Sequence, residues 1–173
     1  MNRFFKSNFS TSIGTIYYLW GVGGPNKVIK VIFLGNNEKS FKQYIEKLNF
    51  MFSDTKFYEK KCLELEEKIL NYLSGKNPCI DLKPLFLTGS DFEKKIWHEA
   101  MKVPYGRTVS YRDLAKNAGF LRAWRAAGTA LKHNPVMLIV PCHRVIKSNG
   151  KIGFFGGGVE VKEFLIRLEN NLD

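Results

Sequence analysis

The hydrophobic residues in the first half of the chain change from an alternating pattern to a helical one. Residues 9–20 are rich in Thr, Ile and Tyr, which favour strands, and residues 27–34 alternate as a second strand after a predicted turn over 21–26. Apolar residues then recur every three or four positions, which predicts two helices. The residues with this spacing are Phe41, Tyr44, Ile45, Leu48 and Met51 in one helix and Leu63, Leu65, Ile69 and Leu73 in the other.

A connector over residues 77–84 separates this half from the second one. We therefore expect two domains, residues 1–82 and residues 83–173. The first is predicted to be an α/β domain with a small antiparallel sheet plus helices.

The second half contains repeated helix start and stop signals. Ser90 followed by Glu93 is a capping box and predicts one helix. A second, short helix is predicted from Ser110 to just before Gly119, and a third over residues 121–132. Two short helices joined by a glycine-containing turn are typical of a helix-turn-helix, so we expect a mostly α C-terminal domain that contains this motif.

The chain is strongly basic. Its 27 Lys and Arg residues exceed its 16 Asp and Glu residues, which gives a formal net charge of +11. Such a charge favours polyanionic partners, although a Lys-rich solvated surface would explain it as well. No apolar run approaches the length of a membrane span, and the N-terminus lacks an apolar signal core. We therefore expect a cytoplasmic protein with no membrane partner.

The three cysteines are Cys62, Cys79 and Cys142, which are too few and too irregularly spaced for a disulfide framework. The chain has no Cys-x-x-Cys or His-x-x-x-His spacing, so we expect no metal site. Most free cysteines behave as small buried hydrophobic residues, and we interpret Cys62 and Cys79 in this way.

Cys142 lies in a different setting from the other two. It follows Pro141, which ends an apolar run over residues 136–140 that we expect to be buried, and it precedes His143 and Arg144. A neighbouring His and Arg would lower the pKa of the thiol and so favour the reactive thiolate. The sequence therefore predicts that Cys142 is a nucleophile.

The nearest candidate base for this nucleophile is His143. Adjacent residues of an extended chain point to opposite faces, so a tight turn or a bridging water has to connect the two side chains. Such a base also needs an orienting partner, usually a carboxylate. Spacing alone does not choose among the acidic residues that follow, which are Glu160, Glu163, Glu169 and Asp173.

The stretch around Cys142 resembles the signature of the O6-alkylguanine-DNA alkyltransferases. The matching residues are Asn134-Pro135, Ile139 to Val145, Gly153, Gly157-Gly158, Lys162, Leu165 and Glu169, together with Val109-Ser110-Tyr111 and Arg125-Ala126-Ala127-Gly128 further back. The resemblance covers approximately residues 85–170 and implies a winged-helix-like C-terminal domain. The N-terminal half has no comparable motif. It is similar to the family's ribonuclease-H-like domain only in its position and its strand–helix pattern.

The resemblance implies a single-turnover repair reaction. Cys142 would take the alkyl group from O6 of an alkylated guanine, with O4 of alkylated thymine as a further candidate, and the protein would be irreversibly inactivated. His143 would deprotonate the thiol through a water, and Glu169 would orient His143. Asn134 would connect the DNA-reading helix to the active-site run, and Tyr111 would donate a proton to the leaving guanine. No cofactor is implied, and the partner is double-stranded DNA carrying O6-alkylguanine, bound by a monomer.

The resemblance also implies how DNA is held. Arg125 would enter the duplex where the damaged base has been flipped out, next to Tyr111. Small residues would allow close approach to the minor groove, and the remaining DNA contacts would come from Ala126, Ala127, Gly128 and Thr129. The base pocket would be lined by Val145, Phe155, Gly156, Gly157, Met137 and Leu131.

Three positions depart from the family pattern. Trp124 stands where relatives usually have a small residue, so the helix would sit differently on DNA or bury Trp124 in the core. The stretch 154–156, Phe-Phe-Gly, replaces one that usually carries a Tyr and often a Ser, and Met137 replaces a proline of some relatives. We expect the changes at 154–156 and at Met137 to alter the tolerance for bulky alkyl groups, and all three to leave the nucleophile intact.

Two other functions compete with alkyl transfer. The first is a non-catalytic lesion sensor or DNA-binding protein, but the sensor relatives lack the acceptor cysteine that is present here as Cys142. The second is a cysteine hydrolase, which would turn over repeatedly, whereas an acceptor cysteine is consumed.

Overall fold

The computed structural model describes residues 3–24, 27–53 and 55–170. The chain divides into two compact units, Met1–Leu87 and Thr88–Asp173. This division lies a few residues after the expected boundary at residue 82, because the short strand Lys83–Pro84 pairs with the sheet of the first unit.

The first unit contains a five-stranded mixed sheet with two helices. In sheet order its strands are β4, β1, β2, β3 and β5. The central pairs β1–β2 and β2–β3 are antiparallel, whereas β4 and β5 pair in parallel with β1 and β3, so the predicted antiparallel sheet is correct only for the central strands. The strands are β1 (Arg3–Thr11), β2 (Gly14–Gly23), β3 (Val28–Gly35), β4 (Lys56–Glu59) and β5 (Lys83–Pro84).

The predicted strand over residues 9–20 is two strands joined by a hairpin. Thr11 pairs with Gly14, and the Thr11 hydroxyl donates to Gly14 O at 2.6 Å while it accepts from Ile13 N at 3.2 Å. Gly14 has φ of +96°, a conformation that glycine adopts without strain. The prediction missed this turn because Ile13 is apolar and its side chain is buried.

The two helices of the first unit are α1 (Glu38–Met51) and α2 (Leu63–Leu73), where the hydrophobic spacing predicts them. Asn37 caps the start of α1, since its side chain accepts from Ser40 N. One face of the sheet and α1 enclose a cluster of buried residues, which comprises Phe4, Leu19, Ile32, Phe33, Phe41 and Leu48.

The second unit is mostly helical, as predicted. The capping box at Ser90 and Glu93 is confirmed by hydrogen bonds in both directions. Trp97, which is fully buried, donates from Nε1 to Ala130 O at 2.7 Å and so links the first helix of this unit to its third. The elements are α3 (Asp91–Ala100), β6 (Val109–Ser110), α4 (Tyr111–Asn117), α5 (Trp124–Lys132), β7 (Val145–Ile146) and α6 (Val159–Glu169).

Helices α4 and α5 form the predicted helix-turn-helix, but α5 begins later than the prediction. The expected helix over 121–132 starts at Trp124, because Ala123 N bonds back to Phe120 O in a turn. Gly119, with φ of +89°, lies in the connection between the two helices. No helix in the described ranges is long and apolar enough to cross a membrane.

Candidate active site

The reactive triplet forms a single 3₁₀ turn, Cys142–Arg144. The apolar run before it is buried, as predicted, and folds back tightly, with Leu138 at φ of +70° and Val140 N donating to Val136 O at 3.0 Å. Cys142 N then donates to Val140 O at 2.8 Å. The backbone therefore forms a tight turn at Cys142.

Glu169 is the carboxylate that contacts His143. The imidazole donates from Nε2 to Glu169 Oε1 at 2.8 Å, and both side chains are buried. Of the other acidic residues considered, Glu160 and Glu163 are exposed to solvent, and Asp173 lies outside the described residues. The bond to Glu169 holds the imidazole in one orientation and leaves Nδ1 as the nitrogen for proton transfer.

Arg144 is bound to the same carboxylate. Its Nε donates to both oxygens of Glu169, at 3.0 and 2.9 Å, and its Nη1 donates to Val103 O at 2.7 Å. Gly106 N donates to Glu169 Oε2 at 3.1 Å, so Glu169 is held from two sides. Because the guanidinium is paired with Glu169, Arg144 positions the partner of the imidazole, and the expectation that it would lower the thiol pKa directly is wrong.

The Cys142 side chain is almost fully enclosed, with 7% of the residue exposed. Asn134 Nδ2 donates to Cys142 Sγ at 3.2 Å and to Val140 O at 3.1 Å, and Asn134 Oδ1 accepts from Val136 N at 2.9 Å. Burial raises the pKa of the Cys142 thiol above its ordinary value, against the opposing effects of the Asn134 hydrogen bond and the Lys162 charge. The prediction of a lowered thiol pKa is therefore wrong for the resting protein.

His143 is neutral in this environment. Burial lowers the pKa of His143 below its ordinary value, even though the Glu169 hydrogen bond and charge act in the opposite direction. A neutral imidazole that donates from Nε2 has a lone pair on Nδ1 and is able to accept a proton.

Lys162 on α6 is a buried cation with no role in the sequence-based prediction beyond its place in the signature. The residue is fully buried, and its Nζ donates to Val145 O at 2.5 Å and to Cys142 O at 3.4 Å. Burial lowers the pKa of Lys162 to about 8. These contacts connect α6 to both ends of the reactive turn. No pattern in the sequence indicates these contacts, because lysines are rarely buried.

Tyr111, the first residue of α4, lies against a glycine-rich loop over residues 150–158, which contains five glycines. A Cβ on Gly153 would lie 2.5 Å from the Tyr111 hydroxyl oxygen, so only glycine allows this approach. The hydroxyl donates to Phe154 O at 3.5 Å, and Lys162 Nζ lies 5.7 Å from the centre of the Tyr111 ring. Burial raises the pKa of Tyr111, with a further contribution from Cys142. The phenol is therefore protonated at neutral pH.

Helix α5 presents most of the predicted DNA-contacting residues to solvent. Arg125, Ala126 and Thr129 are exposed, and Gly128 is half-buried. Ala127 is fully buried, so the expectation that it contacts DNA is wrong. Its small side chain packs into the core of the unit instead.

The residues predicted to line a base pocket divide into two groups. Four have buried side chains that contribute to the core of the unit: Leu131, Met137, Val145 and Phe155. Gly156 is exposed and Gly157 is half-buried. The Val145 carbonyl already accepts a hydrogen bond from Lys162, and the Phe155 ring meets His143 edge-on at 6.3 Å.

The remaining cysteines differ from each other. Cys62 is buried at the start of α2, as expected for a small hydrophobic residue. Cys79 is exposed, which contradicts the expectation that it is buried. Among the residues that the structure describes, no three His, Cys, Asp or Glu side chains are grouped to hold a metal ion.

Comparisons with known proteins agree with the geometry of the second unit. Residues 91–171 match the family model for the DNA-binding domain of 6-O-methylguanine DNA methyltransferase. A methylated-DNA–protein-cysteine methyltransferase of Methanosarcina barkeri is 39% identical over 148 residues, which cover 81% of this chain and 90% of that protein. A protein of the same name from Methanosarcina acetivorans is 38% identical over 163 residues, or 94% of this chain and 96% of that protein.

Solved structures extend the similarity to the whole chain. The crystal structure of the Mycobacterium tuberculosis O6-methylguanine methyltransferase superposes with a TM-score of 0.79 at 27% identity, covering 98% of this chain and 94% of that one. A structure of the same bacterial protein in complex with DNA gives a TM-score of 0.77 at the same identity and coverage. The chain belongs to the methylated-DNA–protein-cysteine methyltransferase family.

Proposed function

We propose that this protein repairs alkylated DNA by transferring the alkyl group from O6 of guanine to Cys142, once per molecule. The observation that carries the proposal is the setting of the Cys142 sulfur, which accepts from Asn134 and lies next to a neutral His143 held by Glu169. Cys142 is the nucleophile, His143 is the proton acceptor, and Glu169 is the carboxylate that orients His143.

The first step is removal of the thiol proton. The raised pKa of Cys142 means that the resting protein holds a thiol, so a base has to act when the substrate is bound. His143 Nδ1 takes the proton through a water, and Glu169 stabilises the resulting imidazolium at Nε2. The Asn134 amide and the Lys162 ammonium favour the negative charge on sulfur.

The second step is displacement at the alkyl carbon. The thiolate of Cys142 forms a carbon–sulfur bond as the carbon–oxygen bond to guanine O6 breaks, and the electron pair of that bond leaves with the guanine. Tyr111 donates its phenolic proton to the leaving base, which becomes neutral guanine. The reaction gives a thioether, and because a thioether is a poor leaving group the alkylated protein does not return to the thiol.

DNA is held by the exposed face of α5. Arg125 enters the duplex at the position of the extruded base and offsets part of the lost stacking. Ala126, Gly128 and Thr129 approach the minor groove, and the net charge of +11 favours the phosphate backbone.

The glycine-rich loop closes the base site. Phe155 packs on His143, and the backbone near Gly156 and Gly157 contacts the flipped base. The family pattern usually carries a Tyr and often a Ser in this stretch, so the Phe-Phe-Gly of residues 154–156 would leave the rim of the pocket without those hydroxyl groups. We therefore propose that this site distinguishes between alkylated bases less by hydrogen bonds to the base and more by the fit of the alkyl group.

Four further features belong to the same proposal. We propose a ribonuclease-H-like first domain, a winged-helix-like second domain, action as a monomer, and a location in the cytoplasm near the DNA. The order β4-β1-β2-β3 in the first domain and the helix-turn-helix of α4 and α5 in the second support the two fold assignments.

The stoichiometry of transfer tests the proposed reaction. Excess duplex DNA with labelled O6-methylguanine is expected to transfer label until each chain holds one methyl group, and then to stop. The Cys142→Ala variant is expected to bind the DNA and to take up no label. Continued product formation beyond one event per chain would indicate a hydrolase, and binding without transfer by the unaltered protein would indicate a lesion sensor.

A further inference from the structure

Trp124 is an exposed aromatic residue at the first position of α5, and no step of the proposed reaction uses it. It retains 39% exposure, whereas the other two tryptophans, Trp20 and Trp97, are buried at 6% and 0%. The sequence left open whether Trp124 is buried in the core, and its exposure excludes that possibility. Tryptophan is enriched at binding interfaces, because its ring is apolar while its N–H can reach a polar partner.

The surroundings of Trp124 are cationic. The Arg112 guanidinium on α4 lies 5.9 Å from the centre of the indole ring. Arg122 and Arg125 flank Trp124 in the chain, and both are exposed. Within the described ranges none of these three arginines forms an ion pair with a carboxylate. An exposed indole among unpaired guanidinium groups is complementary to nucleic acid, which offers base and sugar surface between phosphates.

The position of Trp124 in the chain relates it to both parts of the proposed reaction. It directly precedes Arg125, the proposed wedge, and its cation partner Arg112 directly follows Tyr111, the proposed proton donor. Apolar side chains that enter the minor groove partly unstack a base step and favour a distorted duplex.

We propose that Trp124 is a DNA-contacting residue that packs its indole on the minor-groove edge of the base step next to the lesion, with Arg112 behind the ring. This contact rests on the proposed function of α5. It stabilises the complex in which the damaged base is extruded, so it accelerates repair in duplex DNA and has little influence on a free base.

Fluorescence quenching tests the contact without relying on repair activity. The Cys142→Ala variant, which keeps the lesion in place, is titrated with acrylamide in the absence and in the presence of saturating duplex with one O6-methylguanine. Because Trp124 is the exposed tryptophan, DNA is expected to lower the quenching constant, and this protection is expected to disappear when Trp124→Phe is added. Trp20→Phe is the matched control and should keep the protection. The proposal would be overturned if the quenching constant were the same with and without DNA, or if the protection were unchanged after Trp124→Phe. It would also be overturned if a higher protein concentration without DNA lowered the quenching constant.

Repair kinetics test its consequence. We expect Trp124→Ala to lower the ratio of the duplex repair rate to the rate with free O6-benzylguanine roughly 5- to 150-fold, the range typical of a base–aromatic contact. Trp124→Phe should recover most of the ratio, and Leu63→Ala, which removes an exposed apolar side chain of α2, should leave it unchanged. An unchanged ratio in a folded Trp124→Ala protein would contradict the proposal. If the unaltered protein transferred no alkyl group at all, the proposed function would fail, and the quenching experiment would still decide the DNA contact.

Discussion

The reactive turn and the start of α5 belong to the same unit but differ in how their polar groups are satisfied. At the reactive turn, Cys142 and His143 are buried, and Glu169 holds His143 and Arg144 together. At the start of α5, Ala123 provides no side-chain cap and Arg125 extends into solvent. The polar side chains of the reactive turn are hydrogen-bonded to other residues of the protein in the absence of substrate. The charges at the start of α5, by contrast, are available to a partner.

This difference separates the proposed chemistry from the proposed recognition. A buried hydrogen-bonded network is costly to form and costly to break. Substitutions in it therefore lower the stability of the protein and lower the reaction rate with every substrate alike. Exposed cations contribute little to the fold, so substitutions there change only the reaction that depends on DNA. Four substitutions test this separation, in order of decreasing expected effect.

Glu169→Ala is expected to have the largest effect. It removes the only carboxylate that contacts the buried His143 and Arg144 within the described residues, so we expect a loss of about 3 to 5 kcal/mol in the free energy of unfolding. The alkyl-transfer rate should fall at least about 100-fold on both duplex DNA and free benzylguanine, because the imidazole loses its orientation. Chemical denaturation and single-turnover kinetics measure the two effects. Glu163→Ala on the exposed face of α6 is the control, and a stable, active Glu169→Ala protein would contradict the proposed role.

Arg125→Ala should affect only the reaction with duplex DNA. Loss of a wedge that offsets about 2 to 3 kcal/mol of unstacking predicts a rate roughly 30- to 150-fold lower on duplex DNA. The rate with free benzylguanine should change by less than about threefold, because the side chain is exposed and outside the reactive turn. The exposed Arg167 on α6 supplies the control variant Arg167→Ala. Equal losses on both substrates would remove the distinction between the two regions.

Asn134→Ala should raise the pH at which Cys142 becomes reactive. The Asn134 hydrogen bond lowers the pKa of the thiol, so its removal leaves burial less opposed and the pKa rises. We expect the pH profile of thiol alkylation by iodoacetamide to move upward, and the repair rate at neutral pH to fall about tenfold. Asn117→Ala at the exposed end of α4 is the control. A pH profile that stayed in place would show that the Asn134 contact with sulfur has no electrostatic effect.

Lys162→Met should have the smallest effect on the repair rate, because Lys162 lowers the pKa of Cys142 less than Asn134 does. Its own titration is visible as a pH dependence of stability. Burial lowers the pKa of Lys162 to about 8 in the folded protein, while the ordinary value is 10.5. Between these pH values the unfolded chain holds a proton that the folded protein has released, so folded stability rises with pH. Relative to Lys162→Met, the unaltered protein should therefore gain about 1 to 3 kcal/mol from pH 8 to 10.5 and show no relative change below pH 8. Parallel stability curves over the whole range would contradict the shifted pKa.

The sequence predicted local features better than non-local ones. The capping box of Ser90 and Glu93 depends on residues three positions apart, and it defines the start of α3 as predicted. The parallel pairing of β4 with β1, by contrast, joins segments about fifty residues apart and left no local pattern. Spacing likewise could not choose Glu169 from the other acidic residues. That choice depends on how α6 meets the reactive turn, and only the resemblance indicated it.

The errors at the candidate site have a common physical cause, which is burial. The sequence predicts that His143 and Arg144 lower the pKa of Cys142. Burial of the sulfur raises this pKa instead, and the guanidinium of Arg144 is paired with Glu169. Ala127 was expected on the DNA surface, but it faces the core. The residue types of the site are evident from the sequence, whereas the solvent accessibility of each side chain depends on the fold.

The most direct test of the central claim locates the transferred group. The protein is incubated with duplex DNA containing O6-methylguanine, digested, and its peptides are weighed by mass spectrometry. The account predicts one added methyl group, on the buried Cys142, and none on Cys79, although Cys79 is the more exposed thiol. Methylation of Cys79 in place of Cys142, or an equal distribution between them, would mean that accessibility and not the arrangement around Cys142 determines the reaction, and would contradict the account.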